Sequence, residues 1–127
     1  MSNISKMHQD AWDEAKKQAK KVLIEEARSK RGLISYTELV SKVSALRLDP
    51  HDSRLGQLLG EISTEENSKG RGLLTVLVVH KTGDQQPGQQ FFQLAKSLGR
   101  NFSDQITFWI EERGKVCEYW KSNPTEM

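Results

Sequence analysis

The side chains best suited to contact a nucleic acid fall in two stretches of the chain, at 50–63 and 73–80. The first carries Arg54 and Gln57, whose donors and acceptors match those of base edges in the major groove. Basic side chains lie before, within and after the second stretch and suit contacts with phosphates: Lys69, Arg71, His80 and Lys81. The pattern predicts double-stranded DNA binding, with base contacts from one element and backbone contacts from the other.

Residues for enzymatic chemistry do not form a recognisable pattern. The three histidines, His8, His51 and His80, are scattered and lack the spacing of metal ligands. No glycine-rich loop of the kind that binds phosphates is present. Cys117 is the only cysteine, and no histidine near it in sequence activates its thiol. We therefore expect no catalytic residues, no metal and no cofactor.

Length and composition predict one globular domain over residues 1–127. The chain has 35% hydrophobic and 28% charged residues, which is typical of a folded domain rather than a disordered chain. No apolar run approaches the ~20 residues that span a bilayer. The first eight residues lack the apolar core of a signal peptide, so we expect a cytoplasmic protein without membrane contact. Residues 1–7 are expected to be disordered.

Charge is unevenly distributed, although the net charge is only +2. Residues 1–31 hold eight Lys or Arg against five Asp or Glu, and residues 32–67 hold three against six. Residues 68–100 hold five against one, and residues 101–127 hold three against five. The basic surplus therefore lies in the first helix and around the strand-like run, outside the acidic middle of the chain.

Apolar spacing and capping residues predict the first two helices. Apolar residues at three- and four-residue steps predict a helix over about His8 to Arg31, ended by Gly32. Ser35 and Glu38 have the spacing of a capping box. A second helix is therefore expected from Tyr36 to about Leu46.

A third helix and two strands are predicted around them. Leu33 and Ile34 form a short strand, and Asp49 followed by Pro50 is typical of the start of a helix. The polar stretch 63–72 predicts a loop, and the apolar run Leu73 to Val79 predicts a strand covered on both faces.

The C-terminal part of the chain is predicted to be helical. Apolar residues after the polar connection at 80–88 indicate a fourth helix ended by Gly99. Ser103 is placed to cap a fifth helix, and Gly114 allows a bend within it. These elements predict an α+β fold that is mainly helical: a winged helix-turn-helix-like core over 8–99 with a small sheet, followed by a helical extension over 100–127.

The run from Gly32 to Val40 resembles the opening of the DNA-binding half of alkylguanine DNA alkyltransferases and of their non-enzymatic alkyltransferase-like relatives. The segment Ser53 to Gly56 is similar to the start of that family's recognition helix, one residue short. Val78 to Lys81 takes the place of the strand that carries the family's nucleophilic cysteine. The similarity covers roughly residues 32–99, and the connection before the strand is longer than in the family.

This resemblance implies DNA binding without chemistry. It places Tyr36 against the DNA backbone and Arg54 where an arginine enters the base stack when a nucleotide is flipped. Val79 occupies the position of the cysteine and has no reactive atom, so alkyl transfer is not expected.

Several of these residues also have purely structural interpretations. Tyr36 and His80 suit packing at the ends of elements, and Arg54 suits an ion pair with Asp52 or Glu61. The lysines of the first helix fit the solvated face of an amphipathic helix. An acidic middle helix also fits a protein-interaction or dimerisation module on a winged-helix frame, and this is the alternative function.

Overall fold

The computed structural model describes the backbone of residues 2–80 and 87–127, and the side chains of residues 8–80 and 87–127. Lys81 lies outside the described residues. Within them, the chain forms five α-helices, one 3-10 helix and two short strands. In chain order these are α1 (Ser2–Arg28), β1 (Ile34–Ser35), α2 (Tyr36–Ser41), α3 (Ser53–Ser68), the 3-10 helix (Leu74–Leu77), β2 (Val78–Val79), α4 (Gln89–Ser97) and α5 (Gln105–Ser122).

The two strands form a small parallel sheet. Ile34 pairs with Val78, and Ser35 pairs with Val79. These pairs join the segment before α2 to the end of the apolar run, and the predicted mainly helical α+β fold is confirmed. None of the described helices is long and apolar enough to cross a membrane.

α2 is shorter than predicted, because the chain after it bonds to α1 instead of continuing as a helix. The side-chain oxygen of Gln18 accepts hydrogen bonds from the backbone N–H groups of Ser44 and Ala45. The N–O distances are 2.9 Å and 3.0 Å, respectively. The start of α2 agrees with the prediction, because the Ser35 hydroxyl accepts the N–H of Glu38.

α3 starts later than predicted. The carboxylate of Asp49 accepts the N–H of His51, so Asp49 and Pro50 belong to a turn before the helix. Asp52 is the N-cap, and its side chain accepts the N–H of Arg54. The helix also continues to Ser68 through much of the predicted loop.

The apolar run after α3 is buried as predicted, but most of it is not a strand. Residues 74–77 form the 3-10 helix, because β1 offers only two residues for pairing. Side chains bind the backbone of this segment instead: Glu112 accepts the N–H of Leu73, and Trp109 donates to the carbonyl of Val76. The run therefore forms the centre of the core without a long β-ladder.

The last two helices follow the predicted order. Gly99 has φ of +87° and ends α4, as the sequence predicts. Asp104 rather than Ser103 caps α5, because its carboxylate accepts the N–H of Ile106. α5 continues through Gly114 without a break, and this glycine is exposed.

The hydrophobic core joins α1, α3, the 3-10 helix, α4 and α5. α1 contributes small residues, so neighbouring elements approach its backbone closely. The buried residues include eight apolar side chains of the predicted helices and strand: Leu39, Val43, Leu55, Leu58, Leu59, Ile62, Leu77 and Val79.

Candidate functional site

A surface cleft of about 550 Å³ lies where α2, α3 and α4 begin. Tyr36 is the first residue of α2 and directly follows the buried β1. Gly88 precedes α4 and comes later in the chain than β2, which pairs with β1. The side chains that define the cleft are Tyr36, His51, Asp52, Ser53, His80 and Gln90.

Tyr36 and His80 form one wall of the cleft. Their ring centroids are 5.3 Å apart, and the rings are tilted by 43°. The Tyr36 hydroxyl accepts the backbone N–H of Gly88 at 3.2 Å. Burial raises the pKa of Tyr36 more than this bond lowers it, so the phenol is neutral near pH 7. Its proton is therefore available for donation to a ligand.

The start of α4 differs from the starts of α2 and α3. Ser35 and Asp52 accept first-turn N–H groups of α2 and α3, whereas Gly88 provides no side-chain cap for α4. A Cβ on Gly88 would lie 3.4 Å from the Tyr36 hydroxyl oxygen and 3.5 Å from His80 Nε2. Both are ordinary van der Waals distances, so the backbone of Gly88 lies close to the two rings. The positive end of α4, which has no side-chain cap, is open to the cleft.

Arg54 and Gln57 are exposed on α3, as the sequence predicts, but each contacts an acidic side chain. Arg54 binds both oxygens of Asp52, with the Nη2–Oδ2 distance at 2.7 Å. These hydrogen bonds hold the pKa of Asp52 below its ordinary value. Gln57 donates to Glu61 at 3.3 Å. Both side chains are exposed to solvent, so water can replace the ion pair of Arg54 and the hydrogen bond of Gln57.

The structure corrects the expectation that Arg71 contacts phosphates. Its side chain is only 8% exposed, and its guanidinium binds the carboxylates of Glu66 and Glu126. It also lies 5.0 Å from the centre of the Trp120 ring. Burial lowers the pKa of Arg71 less than the two carboxylates raise it. Arg71 is therefore an internal cation that two acidic side chains neutralise.

Three described lysines, Lys69, Lys16 and Lys20, do not line the cleft. Lys69 is exposed at the C-terminal end of α3, about 24 Å from its start at 1.5 Å per residue. In α1, Lys16 binds Glu61 and Glu65 of α3, and Lys20 lies 3.6 Å from Glu66. Lys16 and Lys20 therefore neutralise carboxylates of α3 rather than facing solvent alone.

Four cleft residues were not predicted as contact residues from the sequence: His51, Asp52, Ser53 and Gln90. The Pro87-Gly88 pair before two glutamines is a usable signal for a helix start, but only the fold brings it to α3. Across residues 2–80 and 87–127, no group of His, Cys, Asp and Glu side chains is arranged to hold a metal ion.

The fold and the cleft define a small, mainly helical α+β protein with polar and aromatic groups at converging helix starts. Neither known protein families, curated proteins nor solved structures give a significant match to this chain.

Proposed function

We propose that the chain is a non-enzymatic DNA-binding protein of winged-helix-like form, with the cleft and the exposed N-terminal half of α3 as its interface. One observation carries the proposal: the start of α4, which has no side-chain cap, opens beside Tyr36 and His80. The same cleft is lined by the start of α3, the helix that carries the exposed Arg54 and Gln57. The cleft supplies donors for a phosphate, and α3 supplies groups for base edges.

A backbone phosphate is the proposed occupant of the cleft. The first-turn N–H groups of α4 point along the helix axis toward the cleft, where the helix dipole favours negative charge. The Tyr36 hydroxyl has one proton to donate, and the exposed His80 imidazole has an N–H group. These contacts position a duplex without reading its sequence.

Base contacts are assigned to Arg54 and Gln57. Arg54 exchanges Asp52 for a guanine edge or a phosphate, and the exposure of the pair makes this exchange inexpensive. Asp52 is then an internal competitor of DNA, because it carries negative charge at the edge of the interface and occupies the guanidinium.

The test is the Asp52→Asn variant, in an anisotropy titration with a mixed-sequence duplex at two salt concentrations. Asparagine still caps α3 but removes the competing charge, so we expect tighter binding than for the wild type. Glu118→Gln is the matched control, because it makes the same change of charge on an exposed part of α5. His80→Ala is expected to weaken binding to all duplexes, and Arg54→Ala is expected to reduce sequence preference.

The proposal fails if the wild type does not bind a duplex at low salt. The assigned interface fails if Asp52→Asn and Glu118→Gln change the affinity equally. Equal weakening for all duplex sequences identifies a positioning contact, whereas weakening that depends on the sequence identifies a base contact.

A protein-interaction or dimerisation module is the second candidate. Ile106 and Ile110 lie one helical turn apart on α5 and are 39% and 58% exposed. Exposed isoleucines in adjacent turns favour contact with another apolar surface. Sedimentation over a range of concentrations tests this candidate, with Ile110→Gln expected to abolish any self-association.

A further inference from the structure

Arg28, Arg71 and Tyr119 lie close together at the C-terminal end of α5. These three side chains are here named the arginine site. We propose that the arginine site binds a four-residue turn with glutamate at its fourth position on another protein. In this structure it is occupied by residues 123–126 of the same chain, here named the turn segment. The proposal is independent of DNA binding.

The turn segment has the form of a β-turn. The N–H of Glu126 donates to the carbonyl of Asn123 at 3.1 Å, which closes the four residues. Pro124 occupies the second position, where its restricted φ favours such a turn. The side-chain amide of Asn123 donates to the carbonyl of Tyr119 and joins the turn to the end of α5.

Arg28 recognises the backbone of the turn segment. Its Nη2 donates to the carbonyl of Asn123 at 2.7 Å and to the carbonyl of Glu126 at 2.6 Å. Its Nε donates to the carbonyl of Trp120 at 3.1 Å. Because the turn's acceptors are main-chain oxygens, any peptide with the same turn offers them.

Arg71 and Tyr119 recognise the carboxylate at the fourth position. Arg71 Nη1 lies 2.8 Å from one oxygen of Glu126, and the Tyr119 hydroxyl donates to the other oxygen at 2.6 Å. These bonds from Tyr119 and Arg71 lower the pKa of Glu126. A glutamine at this position has one oxygen instead of two and no negative charge, so the site selects glutamate.

Part of the arginine site is held by contacts outside the turn segment. Arg71 is held by the buried Glu66, and the guanidinium groups of Arg71 and Arg28 lie 5.0 Å and 5.4 Å from the centre of the Trp120 ring. Glu126, in contrast, has a side chain that is 37% exposed. The two guanidinium groups are therefore held in place by Glu66 and Trp120, and the carboxylate that occupies the site lies at the rim, where exchange requires little unfolding.

The linked turn segment competes strongly with any external peptide. A segment attached by a short connection has an effective concentration in the millimolar range, so it masks the site at lower peptide concentrations. Removing the Glu126 carboxylate should weaken this competitor without removing a buried group, while the main-chain bonds to Arg28 remain. The arginine site is thus a docking site with a built-in competitor.

The experiment uses the full-length chain labelled with ¹⁵N and a capped Asn-Pro-Thr-Glu peptide, titrated by NMR. We expect Glu126→Ala to bind the peptide about tenfold more tightly than the wild type, since a charge-assisted competitor is lost. The shifted signals should include the Trp120 indole N–H. A peptide with glutamine in place of glutamate should bind neither protein.

Two further variants keep the test specific. Tyr119→Phe, added to Glu126→Ala, removes one hydroxyl and should weaken peptide binding severalfold. Glu118→Ala removes an exposed glutamate on the same helix and should behave as the wild type. Equal binding to wild type and Glu126→Ala, binding of the glutamine peptide, or no binding to either protein would overturn the proposal. Self-association that Glu126→Ala abolishes would also overturn it, because the partner would then be a second copy.

Discussion

Burial gives two arginines of this chain opposite roles, although both pair with carboxylates. The side chain of Arg54 is 54% exposed beside Asp52, whereas that of Arg71 is 8% exposed beside Glu66, which is itself 1% exposed. Water screens the first pair and is excluded from the second. Arg54 is therefore able to leave Asp52 for an external ligand, whereas Arg71 stays bound to Glu66.

Arg71→Ala should destabilise the protein by about 3–5 kcal/mol, because it leaves the buried carboxylate of Glu66 without its main partner. Arg54→Ala should leave the free energy of unfolding nearly unchanged. Urea unfolding of the two variants measures the contrast. Similar losses for both would show that the buried pair does not contribute as its geometry indicates.

Glu61 makes the stability of the α1–α3 contact depend on pH. Burial acts to raise its pKa, but hydrogen bonds from Trp12, Lys16 and Gln57 lower it by more. A lowered pKa in the folded state means that the carboxylate stabilises the fold above its ordinary value of 4.5. This contribution is lost as the pH falls through the lower, folded-state value.

Glu61→Gln should therefore lose less stability than the wild type when the pH is lowered from neutral to about 3. Glutamine keeps an oxygen that accepts the Trp12 indole N–H but does not titrate. Thermal unfolding midpoints at the two pH values measure the difference, and Glu118→Gln is the exposed control. Equal acid losses in wild type and Glu61→Gln would contradict the assignment.

At the scale of elements, the C-terminal half of α3 fixes the 3-10 helix. The hydroxyl of Ser63 lies 2.5 Å from the hydroxyl of Thr75 and accepts the Thr75 N–H at 3.2 Å. Both residues are buried, so these bonds replace the β-ladder that the segment lacks. The connection from α3 to the 3-10 helix then depends on two glycines.

Gly70 and Gly72 allow a matched comparison within this connection. Their φ angles are +73° and +91°, a region where side chains with a Cβ are strained. A Cβ on Gly70 meets nothing within 4 Å, whereas one on Gly72 would lie 2.9 Å from Val116 Cγ2. Only the second substitution therefore also disturbs the packing of α5.

Gly70→Ala should cost about 1–2 kcal/mol from backbone strain alone. Gly72→Ala should cost about 1–3 kcal/mol more, because the methyl group overpacks the contact with Val116. Denaturant unfolding measures both values. If the two variants have the same stability, the backbone rather than packing determines the cost at Gly72.

At the scale of the whole molecule, one core connects the predicted DNA interface to the arginine site. The buried residues of the 3-10 helix pack against α1, α3 and α5. α3 carries the cleft at its start and Glu66 near its end, so the two sites share an element. The domain should therefore unfold as one cooperative unit.

Leu58→Ala tests this shared core. Leu58 is fully buried on α3, and the substitution should cost about 2–5 kcal/mol through lost burial and a residual cavity. Far-UV circular dichroism and tryptophan fluorescence should give the same unfolding midpoint in urea. Two separate transitions would show that the C-terminal helices form an independent unit.

Features that depend on local chemistry could be predicted from the amino-acid sequence. Apolar spacing predicted the helices of the core, Ser35 and Glu38 predicted the start of α2, and Gly99 predicted the end of α4. The buried character of Leu73 to Val79 was also predictable, because a continuous apolar run is stable only inside the protein. These features need only contacts between residues close in the chain, or the preference of a side chain for the interior.

Contacts between residues that are distant in sequence could be known only from the tertiary structure. Gln18 ends α2 early, and Asp49 is used in a turn rather than as the cap of α3. Arg71 is buried because Glu66 and the C-terminal Glu126 converge on it, and the same fold brings Gly88 to Tyr36. An arginine, a glycine or a tyrosine has the same local conformational preferences whether it is buried against distant residues or exposed to solvent. Which setting it occupies is decided by long-range contacts that release water and satisfy buried polar groups.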